Sequence, residues 1–447
     1  METQKVAGIR YRFSVLFLAL ALTAVSCKDS DNALTPIEEP KVMDLIQSNS
    51  NLEILADLLE GTTLIQTLSG TGTVTIFAPS DAAFAKLPQG YLEGLTNQQI
   101  LEILKYHVYS GEYPVINEIK REAITSLHGD PLFLEIGQSF GDLLNGQAKI
   151  ISTNIEAKNG LIHIIDAVLL PDQYGTLAEN IYKRYDFRRL YERMEATGTL
   201  ATLNEAGSKT LLAPVNSSIE GIDDYVDDYF DDALSAEQWL EIMKHHIIGE
   251  DISGYGPNTQ KALVTMSGDS VFLEVIEPGT YKLNNNDIPL DLVTSTNGKI
   301  LFSPGVMFPD KYLGVLTLMD KRHYLNTARS ALAAAKLTGR LYNSDNNADE
   351  KFTIFIPKND AAGINNLPAD ENGLANVLKY HVLLEKLTAE QLQHNQTYTT
   401  WQGEEITISK NGDVITINGS ATVTMSDLVG TNGVVHVINS TLTPPAN

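Results

Sequence analysis

The sequence predicts an α+β fold in three tandem copies, each with helices packed on a mainly antiparallel sheet assembly. Two observations predict it. Three landmarks recur in the same order at one long interval, and within a copy the hydrophobic period changes from helical to alternating. The 447 residues, 43% of them hydrophobic, suffice for several separate cores.

The first landmark is an apolar strand ending in proline and a polar turn. It reads Thr75 to Phe84 around Pro79, Thr210 to Ile219 around Pro214, and Thr353 to Ala362 around Pro357. The second is a helix ending in an aromatic residue or His followed by His: Tyr106-His107, His245-His246 and Tyr380-His381. The third is an Asn-Gly turn before an apolar strand, at Asn159-Gly160, Asn297-Gly298 and Asn432-Gly433. Each landmark returns after about 140 residues, too long an interval for a solenoid unit, so each copy is a domain with its own core.

In the first copy, Val42, Leu45, Ile46, Leu52, Leu55, Leu58 and Leu59 follow helical spacing. A short helix is expected over Thr62–Leu68, then a buried strand over Thr73–Ala78 stopped by Pro79. Ser80 or Asp81 is suited to cap the turn that follows. Thr96 opens the helix that ends at Tyr106-His107. Ser126–Ile136, Gln147–Ile155 and Leu161–Leu169 then read as strands, with Asn145-Gly146 and Asn159-Gly160 as hairpin or turn signals.

Residues 1–26 read as an address. Lys5, Arg10 and Arg12 precede a short apolar run from Phe13 to Leu22, the layout of a secretory signal peptide. That run is shorter than the roughly 20 residues of a transmembrane helix. Ala24-Val25-Ser26-Cys27 resembles a bacterial lipobox, which implies cleavage before Cys27 and lipid attachment to it. Lys28-Asp29-Ser30-Asp31 looks like the surface-export signal of Bacteroidetes lipoproteins. Residues 27–40 then serve as a tether. Cys27 is the sole cysteine, so no internal disulfide holds the fold. The net charge of −24 sets the chain against phosphate backbones, and nucleic acid is not an expected partner.

The three landmarks together resemble the fasciclin domain. That family carries a Thr-Val-Phe-Ala-Pro-Thr-Asp-like strand and turn, a central Tyr-His, and an Asn-Gly-Val-Ile-His-Val-Ile-Asp-like strand ending near proline. Copies one (41–172) and three (311–447) match well, with Ile356 and Asn439 as departures. Copy two (173–310) is degenerate: His245 stands for Tyr, and Leu301 for the last-strand His. The resemblance implies a wedge or sandwich of β-strands with packed helices, and extracellular adhesion or ligand binding without catalysis.

Pro79, Asp81, Tyr106, His107, His163, Pro357, Tyr380, His381 and His436 carry the family pattern. In animal members the region around Tyr-His is linked to integrin binding. A His ending a helix also bonds the last carbonyls, however, and a mid-strand His satisfies a buried polar group. No metal, cofactor or catalytic residue is expected, because no metal-ligand spacing, phosphate loop or nucleophile motif occurs. Asp223 to Leu234 alternates Asp pairs with apolar pairs, giving a solvated acidic helix face, and Asn343 to Glu350 reads as a polar loop. Expected partners are an extracellular protein or glycan and, through the anchor, the outer membrane. The glycan alternative needs an exposed aromatic platform. Trp239 is expected in the core, and Trp401 in a turn beside Gly403.

Overall fold

A computed structural model describes residues 38–115, 119–137, 141–229, 234–277, 280–288, 292–342 and 350–445. The leader, Cys27, most of the tether, and residues 230–233 and 343–349 of the two polar stretches lie outside these. Helix Asn216–Tyr229 takes in the first part of the acidic stretch. Pro40–Asn447 belong to one unit.

In the first copy the helical period from Val42 to Leu59 divides into two helices, Val42–Ser48 and Glu53–Glu60. The break falls on Ser48-Asn49-Ser50-Asn51. Asn49 Oδ1 accepts from the Asn51 N–H and Ser48 Oγ donates to the Leu45 carbonyl, local bonds that compete with continuing a helix. Strand Val74–Pro79 follows, and Ser80 caps the next turn by accepting from the Ala83 N–H at 3.2 Å. Helix Asn97–Tyr106 starts in a capping box between Thr96 and Gln99.

Seven strands of the first copy then make one sheet. One pair, next to the edge strand Val108–Ser110, is parallel: Val74–Pro79 lies beside Gly160–Ile165, the last strand of the copy. All other neighbours are antiparallel. The third copy repeats the order, with Phe352–Ala362 parallel to Gly433–Ser440. Both faces of the first strand are covered, and alternate residues serve opposite cores. Ile76 and Ala78 enter the helix-side core, while Phe77 enters a core enclosed by the outer strands.

The middle copy departs from this plan. Among the described residues its strands fall into two four-stranded groups on either side of residues 289–291, with Lys209–Pro214 parallel to Gly298–Ser303 in one of them. Leu212 and Leu301 replace the Phe–His pairs that stack in the other copies, Phe77 on His163 at 5.3 Å and Phe355 on His436 at 5.4 Å.

Candidate functional site

The family-pattern residues are tied into the interior. Tyr106 and His107 are 0% exposed. His107 Nδ1–H donates to the Ile103 carbonyl at 2.8 Å, and Nε2 accepts from the Leu169 N–H at 2.9 Å. The pair of partners sets the tautomer. His246 does the same between Ile242 and Met307, and His381 between Val377 and Leu442. Each ring ties the end of a helix to the chain leaving the sheet. The Tyr106 hydroxyl donates to the Pro131 carbonyl and accepts from Asn145, and Tyr380 repeats this with Glu405 and Asn418. In the middle copy His245 faces Thr265 and Ser267 instead.

Burial pushes His107, His246 and His381 down to about 4. An unfolded imidazole takes its proton near pH 6.5, so protons bind the unfolded chain first as pH falls. Stability is therefore whole above about pH 6.5 and drains between there and pH 4, by up to about 3 kcal/mol per histidine. Urea denaturation across pH 7.5 to 4 should show that decline, and a flat profile over the interval contradicts it.

His163 and His436 clamp a bulge. His163 Nδ1 accepts from the Asn154 N–H and Nε2–H donates to the Tyr113 carbonyl. Asn154 has φ +53° and sits where the register of its strand shifts. His436 holds Asp427, φ +60°, and Leu387 in the same manner.

The turn after the prolines joins two helices to the sheet. Asp81 Oδ1 accepts from the Ile54 N–H at 2.9 Å, capping helix Glu53–Glu60 rather than its own turn. Asn216 and Asn359 do the same for Arg189 and Thr327. Pro79 and Pro357 stand in the parallel pair opposite Ile165 and Ile438. The Asn-Gly landmark does more than turn the chain. Asn159 Oδ1 accepts from the Val42 N–H at 2.8 Å and its amide donates to Leu68 and Gly70. Asn297 and Asn432 make the equivalent clasp to Leu177 and Val315.

Neither tryptophan offers an open platform. Trp239 is buried under Arg193, and Trp401 packs on the third core with Arg340 over its ring at 4.7 Å. Among the described residues no three His, Cys, Asp or Glu gather for a metal ion. No described helix is long and apolar enough to cross a membrane.

What sequence reading missed lies between copies. At the first junction Asp172 takes Lys183 Nζ and Arg184 Nη2, both at 2.5 Å, and its N–H donates to Asp130. Arg184 lies over Phe133 at 5.1 Å and Lys183 near the Tyr106 ring at 5.7 Å. Burial opposes ionisation of Asp172, but Lys183 and Arg184 outweigh it and hold the carboxyl below its usual range. The second junction repeats the set: Asp310 takes Lys321 at 2.8 Å and Arg322, its N–H donates to Asp269, and Arg322 lies over Phe272. The signal is present in the sequence as Pro171-Asp172 before Lys183-Arg184 and Pro309-Asp310 before Lys321-Arg322. Beside the first junction opens a cleft of about 450 Å³ with Phe133, Phe187, Phe302 and Asp186 in its walls. Burial raises the Asp186 pKa.

The fasciclin domain model matches this chain at residues 50–171, 185–308 and 323–444. The chain is 26% identical over 416 residues to transforming growth factor-beta-induced protein ig-h3 of Sus scrofa, covering 91% of this chain and 58% of that protein. It is 28% identical over 430 residues to periostin of Homo sapiens, covering 93% of this chain and 48% of that protein. The chain thus spans about half the length of these curated relatives. Among solved structures, a FAS1 domain pair from the insect cell adhesion molecule Fasciclin I matches with a TM-score of 0.40 and 18% identity, over 58% of this chain and 97% of that one. With three matches in tandem taking in most of its length, the chain belongs to the fasciclin domain family.

Proposed function

We propose that this is an exported, lipid-anchored surface protein that binds an extracellular ligand through its fasciclin domains and has no catalytic role. The observation that supports this most is the series of three family domains joined at two equivalent buried ion clusters. Domains fixed relative to one another present repeated surfaces at fixed spacing, which gains avidity against a repetitive ligand. The pattern residues are spent inside each domain, so the ligand meets other surfaces.

The anchor is Cys27, and the face is the outside of the outer membrane. Adhesion of the producing cells to matrix protein and to neighbouring cells should fall on deleting the gene. It should fall equally with Cys27→Ser, which releases the chain from the membrane fraction. Unchanged adhesion in the deletion strain refutes the adhesive role. Retention of the Cys27→Ser chain in the membrane refutes the anchor.

A further inference from the structure

The middle copy has a pocket where the first copy carries an ion pair. Where the first copy has Lys86 paired with Asp166 at 3.0 Å, the middle copy has Gly221 and Pro304 at the corresponding positions. The neighbour Ala167 corresponds to Gly305, and a Cβ built there meets nothing within 4 Å. The loss of two charged side chains and a methyl group leaves an opening of about 480 Å³. Its walls include Ile222 and Phe308 of the middle copy and Leu313 at the entry to the third.

The chemistry of the walls is unusual for so acidic a chain. Among the described lining residues none is charged, and the side-chain polar groups are hydroxyls, those of Ser217, Ser218, Thr317 and Tyr312. Lys311, next to Tyr312, is already paired with Glu241 at 2.5 Å. Among the described walls a carboxylate or phosphate therefore finds no free counter-charge, and Glu241, to which the Tyr312 hydroxyl donates, is already paired with Lys311. Burying an unpaired charge is costly, whereas a hydrocarbon surface gains on leaving water. The volume is in the range of small-molecule sites, which run from about 300 to 1,000 Å³.

We propose that this pocket binds a neutral, mainly hydrocarbon small molecule bearing a hydroxyl-type polar end. The ligand lies between the middle domain and helix Val315–Asp320, so it contacts two domains at once. The domain that has lost the His clamp thereby has a ligand site.

The test uses the mature chain and the neutral fluorescent probe N-phenyl-1-naphthylamine. Saturable binding of one probe per chain is expected, displaced by 1-decanol at lower concentration than by decanoate. Gly305→Leu fills the opening from a position with room for a side chain. The pair Gly221→Lys with Pro304→Asp reinstates what the first copy carries. Each should weaken probe binding at least tenfold while leaving the urea midpoint near that of the parent. Lys86→Gly, in the first copy, should leave binding unchanged. Absence of saturable binding by the parent chain overturns the proposal, as does full binding by Gly305→Leu or by the double variant. Equal displacement by decanoate overturns the neutral ligand class. If one filled variant does not fold, the other decides. Adhesion of cells is a separate readout, so failure here leaves the adhesive role standing.

Discussion

Asp172→Ala and Asp310→Ala should each cost about 3–5 kcal/mol, the range for breaking a buried ion pair from one side. Lys183 and Arg184 are 6% and 4% exposed, and Lys321 and Arg322 are 3% and 2% exposed. Removing the carboxylate leaves two cations out of water without their main counter-charge, with Asp269 still 3.5 Å from Lys321 at the second junction. The loss exceeds the Coulomb energy of an exposed pair, which is about 0–1 kcal/mol. Replacing the first cluster whole, as Asp172→Leu, Lys183→Met and Arg184→Met, should cost much less, because no charge is then stranded. Urea denaturation of the parent, the single variants and the triple variant separates these outcomes. The Asp variants should also uncouple neighbouring domains, so that one unfolding transition becomes two. A single alanine variant as stable as its parent means that the cluster is solvated in solution.

Gly160→Ala should cost more than about 4 kcal/mol, among the largest effects of a single substitution. A Cβ on Gly160 would lie 1.7 Å from the Val74 carbonyl oxygen, and φ there is +148°. The glycine sits where the parallel pair begins, with the partner backbone pressed against it. Gly298 and Gly433 meet Lys209 and Phe352 in the same way, at 2.2 and 2.3 Å. The contacts are with backbone, which has no rotamer by which to give way. Limited proteolysis should show the first domain cleaved in Gly160→Ala and the third in Gly433→Ala, with the other domains intact. Both variants resisting protease like the parent would sink the argument.

Much of the fold was legible in local chemistry. Thr96 with Gln99, Pro79 after an apolar run and the change to alternating residues beyond Ser110 speak for elements a few residues long, and tertiary contacts reinforce them. The periodicity over Val42 to Leu59 misled because Ser48 to Asn51 bond to their own backbone without breaking the apolar spacing. The parallel pairing of first and last strands was not legible, since the two strands are distant in sequence and nothing in either marks its partner. For the same reason Asp81 looked like a cap for its own turn, when the N–H it accepts from belongs to Ile54. The junctions needed a different question. Asp172 and Lys183 look like ordinary surface charges until the second copy of the spacing, at Asp310 and Lys321, is set beside the first.

The parallel pair of strands in each domain sets the order of events when the chain is made. The opening strand of a domain emerges about 85 residues ahead of the strand it must lie against, so the closing contact is among the most distant in sequence and the last to become possible. A growing chain therefore holds this buried, mainly apolar strand with one edge unpaired until its Asn-Gly turn has appeared. That delay leaves each unit incomplete over most of its own length. The same delay gives the unit an aggregation hazard that ends only when the final strand arrives.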